Sequence, residues 1–232
     1  MKKNIPALLI ALGIVVLGWF IYSALNNLAY RDRQVQVRGL AEKEVMANKV
    51  TWPLVMKNLG NNLPQLYEQI NTTNAIAIKF LKENGISEDE ISVNEPVVFD
   101  KDAQRYGGND SSPYRYTVTE VITVTSSQVE KVNALIKRQA ELLKQGVALS
   151  NDYEYQTLYE YTGLNDIKPE MIAEATRNAR EAAKKFAEDS ESDLGKIKSA
   201  TQGQFSIEDR DAYTPYIKNV RVVTYITYYL ED

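Results

Sequence analysis

Apolar residues recur at helical spacing in some stretches of this chain and alternate with polar ones in others. From Pro169 to Asp189 the apolar positions are Ile172, Ala175, Ala179, Ala182, Ala183 and Phe186. Spacings of three and four define one face of a helix. Pro169 suits the first helical position, where a missing N–H costs nothing. The stripe is mostly alanine, so this helix can lie close to whatever it packs on. Its other face carries Glu174, Arg177, Arg180, Glu181, Lys184, Lys185 and Glu188, a mixed-sign set that reads as a solvated surface. Gly195 follows a polar joint, Ser190 to Asp193. Lys196–Ile207 then reads as a strand, with Gly203 marking a bulge. Glu208-Asp209-Arg210-Asp211 is a turn. Asn219–Leu230 alternates most cleanly: Val220, Val222, Thr224, Ile226, Tyr228 and Leu230 share one face.

The same order of elements occurs earlier, from Pro64 to Thr125. Leu66, Ile70, Ala77, Phe80 and Leu81 form a helical stripe stopped by Asn84-Gly85. Ile91–Asp100 is a strand that Pro96 pushes toward an edge or a bulge. Asp100-Lys101-Asp102 and Gly107-Gly108-Asn109-Asp110 make a long turn, and Tyr114–Thr125 returns. Ahead of this unit, Gln34–Gly39 is a short strand. Glu44–Lys57 is a longer one, with Met46, Val50, Trp52, Leu54 and Met56 on one face and Pro53 marking an edge or bulge. After it, Ser127 and Glu130 have capping-box spacing and open a helix with Val129, Val132, Leu135, Ile136, Leu142 and Leu143 inside, ending near Gly146. Tyr153–Thr162 reads as a strand with a tyrosine face. The expected fold is α+β: duplicated helix–hairpin units whose antiparallel sheets are packed with helices.

The first thirty residues stand apart. After Lys2 and Lys3, Asn4–Tyr30 carries no charge, and Ile5–Leu25 as a helix spans roughly 30 Å, the thickness of bilayer hydrocarbon. Trp19 and Tyr22 sit where interfacial aromatics sit, and Lys2 and Lys3 favour a cytoplasmic N-terminus. A retained anchor and a cleaved signal peptide compete. The apolar run is longer than a signal core, and Tyr22-Ser23-Ala24 and Asn27-Leu28-Ala29 are poor cleavage sites, which favours the anchor. Residues 1–30 are therefore expected to be a cytoplasmic tip and transmembrane helix, and residues 31–232 a periplasmic domain. Beyond residue 30 there are 25 basic and 31 acidic residues, net −6. No basic patch supports a nucleic-acid partner.

Two segments resemble the SIMPL domain. Val35-Gln36-Val37-Arg38-Gly39-Leu40-Ala41-Glu42 is similar to the opening strand, glycine and acidic residue of that family. Ala179-Arg180-Glu181-Ala182-Ala183-Lys184-Lys185-Phe186-Ala187, followed by Leu194-Gly195-Lys196-Ile197, resembles its Ala/Arg-rich helix running into a strand. The resemblance covers roughly Gln34 to Leu230. It implies an α+β fold, a bacterial envelope location, homo-oligomers and a link to oxidative-stress defence. It supplies no agreed catalytic residues.

The chain contains no histidine and no cysteine. That removes His-based triads, His- or thiolate-ligated metals, thiol catalysis and disulfides. Asp152, Glu154 and Glu160 on one strand face would lie about 6.6 Å apart at alternate positions, near the spacing of glycosidase acid pairs. The alternating pattern favours a solvated face instead. Asp100, Asp102, Asn109 and Asp110 match no calcium-loop spacing and read as turn residues. Tyrosine is plentiful, at 15 residues against 5 Phe and 2 Trp. Tyr153, Tyr155, Tyr159 and Tyr161 form the candidate face for a protein or polysaccharide partner. The reading is thus a single-pass inner-membrane protein acting by interaction or homo-assembly, without cofactor, metal or catalytic residue. The alternatives are a peptidoglycan-binding module and a carboxylate-based wall hydrolase.

Overall fold

A computed structural model describes residues 5–30, 33–103 and 113–231, with the side chains of the first helix described over residues 10–25. Gly107-Gly108-Asn109-Asp110 and the charged residues flanking the first helix, Lys2, Lys3, Arg31 and Asp32, lie outside that set. The elements in order are α1 (Ile5–Tyr30), β1 (Gln34–Met46), β2 (Lys49–Gly60), α2 (Leu63–Glu83), β3 (Ile91–Val93), β4 (Val97–Asp100), β5 (Tyr116–Ser126), α3 (Val129–Arg138), α4 (Ala140–Lys144), β6 (Leu149–Ser150), β7 (Leu158–Glu160), α5 (Leu164–Asp189), β8 (Asp193–Gln202), β9 (Ser206–Asp209) and β10 (Ile217–Glu231). The class is α+β, with antiparallel sheets packed by helices. Two compact units divide the chain: residues 1–43, 164–208 and 219–232 form the first, and residues 44–163 and 209–218 the second.

In the first unit the strand order is β1-β10-β8, with β9 also pairing β10. Along β1, Val37, Gly39 and Ala41 are buried and the residues between them exposed, the period-2 pattern of a sheet with one covered face. The cover is α5. Its buried positions are Met171, Ala175, Ala179, Ala183 and Ala187, each four apart. A Cβ built on Gly39 would sit 1.8 Å from the Ala175 carbonyl oxygen and 2.6 Å from the Ala179 nitrogen. Glycine on the strand and alanine on the helix therefore bring two backbones together. Polar bonds fix the alignment: Lys43 pairs with Glu170 at 2.7 Å, and Asn178 donates to the Leu40 carbonyl at 2.8 Å.

Two expectations for α5 and one for the strand after it are corrected. The helix begins at Leu164, so Pro169 lies in its second turn rather than at its start and costs one backbone bond. Asp166 supplies the negative charge that a first turn favours. Phe186 is 59 % exposed, because the line of closest approach has room only for methyl groups and Phe186 lies off it. The following strand is broken: β8 ends at Gln202 and β9 starts at Ser206. Gly203 lies in the break, where a Cβ would meet the Val223 carbonyl at 2.7 Å. On β10 the even-numbered residues from Val220 to Tyr228 are buried, as their alternation predicts.

In the second unit β5 is central. It pairs with β2 on one side and with β3 and β4 on the other. The order helix, broken strand, long return strand thus appears in both units, as α2, β3/β4, β5 and as α5, β8/β9, β10. The expected strand Ile91–Asp100 is interrupted at Asn94-Glu95-Pro96, where Pro96 has no N–H to give the ladder. Glu44–Lys57 is not one strand. β1 runs through Met46, and β2 begins at Lys49. Met46 is accordingly 45 % exposed, while Val50, Trp52, Leu54 and Met56 are buried. They pack with Ile122 and Val124 of β5, Phe80 and Leu81 of α2, and Val132 and Leu135 of α3.

The α2 stripe of Leu66, Ile70, Ala77, Phe80 and Leu81 is buried as expected. Asn62 caps its start, and Gly85 (φ 82°) turns the chain at its end. The capping box expected at Ser127 and Glu130 does not form. Ser126 accepts from the Gln128 N–H there, and the box sits at Ser87 and Glu90 instead. Leu143, expected inside, is 58 % exposed, because the helix breaks at Gln139 into α3 and α4 and turns that side chain out.

Replacing Gly39 by alanine should lower stability by roughly 1–3 kcal/mol or more, as overpacking does when the colliding atoms are backbone. Denaturant unfolding of the variant would show a reduced midpoint. An unchanged midpoint would mean that α5 does not lie against β1 at this distance.

Candidate functional site

The segment expected to carry a tyrosine-faced strand is instead a short strand, a loop and a second short strand. The cause lies in β2. β6 pairs Ser150 with Val55, and β7 pairs Leu158 with Thr51. Unbroken pairing from Val55–Ser150 would bring Glu154 opposite Thr51, so four residues are looped out. Pro53 stands between the two paired stretches and offers no N–H to continue the ladder. Residues 151–157 cross this gap as a loop, with Tyr155 N–H donating to the Asp152 carbonyl at 3.1 Å.

The four tyrosines are therefore not a stripe. Tyr153 is 90 % exposed at the loop tip, and Tyr155 is half-buried beside it. Tyr159 on β7 turns inward, donates its hydroxyl to Asn133, and meets the Tyr216 ring edge-on at 6.1 Å. Burial, and secondarily Tyr216, raises the Tyr159 phenol above its ordinary range. Tyr161 donates to the Gly163 carbonyl at 3.0 Å. Tyr159 and Tyr161 are structural; Tyr153 and Tyr155 remain available.

The carboxylates are placed differently from a catalytic pair. Asp152 and Glu154 lie in the loop and Glu160 on β7, so the even strand spacing does not arise. Asp152 pairs with Lys57 and Glu160 with Lys49, each at 2.7 Å. Asp100 and Asp102 hold Arg115. Asp100 takes a two-bonded clasp at 2.9 and 2.8 Å, and the Asp102 carboxylate lies 3.2 Å from Nε. The Arg115 guanidinium keeps the Asp100 carboxyl below the usual carboxylate range. Asn109 and Asp110 lie outside the described residues. Among the described residues no group of three or more carboxylates is arranged to hold a metal ion.

What the loop does build is a surface. Lys57, Val97, Thr119, Asp152, Tyr153, Glu154 and Tyr155 line an open cavity of about 450 Å³. Next to it the edge of the sheet is apolar: Val93, Val97, Val98 and Phe99 are each about half exposed, on both faces of β3 and β4. Among the described residues no further strand pairs with β3 or β4, and neither carries a lysine; such an edge is a template for further pairing. β8, one of the edge strands in the other unit, is handled oppositely. β8 carries Lys196 and Lys198 and shifts register twice against β10, devices that discourage pairing.

A second cavity, of about 550 Å³, lies in the first unit between α5 and β8. Arg180, Lys184, Lys196, Leu194, Ile197 and Tyr228 are among its walls. Its cations were legible in the sequence only as part of a solvated face. Arg180 and Lys184 are four apart on one helix side, but nothing in the pattern placed Lys196 beside them.

One buried carboxyl lies apart from both surfaces. Glu120 on β5 is 1 % exposed and accepts from Asn74 Nδ2 of α2 at 3.1 Å. Among the described residues Glu120 Oε2 and Asn74 Oδ1 have no hydrogen-bond partner. Burial raises the Glu120 carboxyl above its ordinary range, and the Asn74 bond offsets this in part.

Fold and surfaces define an α+β protein with helix-covered antiparallel sheets and an open apolar strand edge. The profile of the SIMPL family, described as a protein of unknown function (DUF541), matches residues 35–222. The chain belongs to the SIMPL family. No curated protein matches it.

Glu120 sets a pH dependence. A carboxyl raised on folding binds more protons in the native state than in the unfolded one, so stability falls as pH climbs from the unfolded value through the folded one. Glu120→Gln keeps the shape and removes the ionisation. Its unfolding free energy should decline less than that of the parent between mildly acidic and mildly basic pH. Parallel pH profiles for the two proteins would refute the buried, raised carboxyl.

Proposed function

We propose that this protein is a non-catalytic assembly module of the bacterial envelope, held at the inner membrane by α1 with its body in the periplasm, and that it self-associates through the β4 edge. One observation carries the assembly reading. The β3/β4 edge leaves Val93, Val97, Val98 and Phe99 open to solvent in a single copy, while the β8 edge of the same chain is guarded. A second copy of the same edge is the occupant that needs no further chemistry, since antiparallel pairing of two β4 strands satisfies backbone groups and covers apolar faces at once. The cellular setting, envelope upkeep or oxidative-stress defence, follows from the family resemblance.

The anchor rests on α1. The helix runs 26 residues without a charge. Its large apolar side chains between Ile10 and Leu25 are exposed all round, Trp19 and Ile14 at 65 % each. A helix apolar on every side belongs in a membrane or a core. Among the described residues no helix is long and apolar enough to cross a membrane. The charge-free ends beyond residues 10 and 25 supply the remaining length in this reading.

A second reading, an envelope polysaccharide module, is favoured by the cavity beside Tyr153 and Tyr155, since aromatic rings beside polar groups suit sugars. The wall-hydrolase alternative draws no comparable support, with Asp152 and Glu160 each paired to a lysine.

Full-length protein in detergent or nanodiscs should sediment as a dimer or larger species. Val98→Lys should shift it toward monomer without unfolding it. A parent that stays monomeric across the accessible concentration range would end the self-association reading. Binding of muropeptides that Tyr153→Ala weakens would transfer the surface to the sugar reading. For the anchor, the chain should stay with membranes through alkaline carbonate washing, and Val15→Arg should release it or block its insertion. Recovery of the parent in the wash would rule out α1 as a span.

A further inference from the structure

The cavity between α5 and β8 carries charge that the fold does not use. Arg180 and Lys184 project from α5 and Lys196 from β8. Among the described residues none of the three has an ion-pair or hydrogen-bond partner, although neighbouring Lys185 is paired with Asp189 at 2.9 Å and Lys198 donates to Gln34. Among the described residues, the one carboxylate in the wall is Glu231. Three cations face one anion, an imbalance that a bound anion would neutralise.

A buried hydroxyl points the same way. Tyr228 forms part of the wall and is 2 % exposed, yet among the described residues its hydroxyl has no partner. An unsatisfied buried donor is a standing cost, and native structures rarely leave one without a reason. Tyr228 also sits where the sheet departs from regularity. Opposite it, β8 shifts register between Thr227 and Tyr228 and again between Tyr228 and Leu230, so that Ile197 and Leu194 face those two residues. Bulges re-aim side chains and cluster beside sites. Gly195 lies within this stretch, where a Cβ would come within 2.7 Å of Glu231 Oε1 and 3.0 Å of the Tyr229 carbonyl. A side chain at residue 195 would push Glu231 out of its place in the wall.

We propose that this cleft binds a phosphate group attached to a partly apolar body. Arg180 and Lys184 supply charge from the helix side and Lys196 from the strand side. The Tyr228 hydroxyl donates from the floor, and Leu194 and Ile197 line the part that takes the apolar body. Arginine and lysine together suit phosphate, one by its planar fork and the other as a point charge. A cavity of about 550 Å³ is larger than a bare phosphate requires. The source is either a soluble phosphoester or a phospholipid headgroup. The inference is independent of assembly through β4, which lies in the other unit.

The test uses full-length protein in phosphatidylcholine nanodiscs. Calorimetry with glycerol phosphate forms one arm, and phosphorus NMR of nanodiscs with added phosphatidylglycerol the other. Saturable binding in the first arm identifies a soluble phosphoester. Binding confined to the second identifies a headgroup. Either should weaken about tenfold in Tyr228→Phe, the loss expected for one hydrogen bond to a charged group. Either should weaken further in Arg180→Gln with Lys184→Gln, and should fall with rising salt. Both variants change groups on the cleft wall, and thermal unfolding would verify their folds. Absence of binding in both arms would overturn the proposal, as would binding that neither variant weakens. Val98→Lys should bind as the parent does, and a loss there would assign the ligand to the assembly surface instead.

Discussion

The close approach of α5 to β1 is the constraint on which the first unit depends. A helix normally stands off a sheet by the length of its side chains. Here the strand gives up a side chain at Gly39, and the helix keeps only methyl groups at Ala175 and Ala179, so backbone lies against backbone. Little apolar area is buried per residue in such a contact, and dense packing replaces it as the source of stability. The arrangement tolerates no added atom. It also explains why the two sequence segments that resemble the SIMPL family are far apart in the chain. One holds Gly39 and the other Ala179, and the fold presses them together.

Proline sets the other boundaries. In the second unit, Pro53 divides the strands that can pair with the free side of β2, and Pro96 divides the strand on the far side of β5. Each leaves a gap in a ladder. At Pro53 the gap extrudes the loop that carries Asp152, Tyr153, Glu154 and Tyr155. At Pro96 it isolates the four residues of β4 at the sheet edge. The exposed surface of this unit is thus a consequence of two missing N–H groups.

Much of this was legible in advance. The α2 stripe, the buried face of β10, the core face of β2 and the α+β class follow from periodicity, because each is a long element with one buried side. Short elements were less legible. The Tyr153–Thr162 pattern alternates as a strand does, but alternation cannot report that the partner strand has a proline at the point of pairing. Pro169 reads as a helix start because proline favours that position, while the helix in fact begins a turn earlier, at Leu164, and only one backbone bond is lost to the proline. The basic cleft was hidden for a similar reason. Arg180 and Lys184 share a helix side with acidic residues, and only the register of bulged β8 brings Lys196 to them. The charge sum of the body, which is acidic, gave no hint of a local excess of cations.

The unpartnered polar groups in the two units differ in kind. Glu120 and Asn74 leave one oxygen each without a partner, and a single proton on the carboxyl would supply the donor that both acceptors lack. That pair can be satisfied from within, by shifting its ionisation. Tyr228 and Thr224 lie on the same buried face of β10, and each has an unpartnered hydroxyl. No change of protonation at neutral pH supplies what they lack, because a hydroxyl keeps its proton there and can be satisfied only by a neighbouring polar group. For Tyr228, which lines the cavity between α5 and β8, the proposed phosphate is that group. A proton of its own can thus settle the Glu120–Asn74 pair of the second unit, while the hydroxyls of Tyr228 and Thr224 in the first have no such recourse.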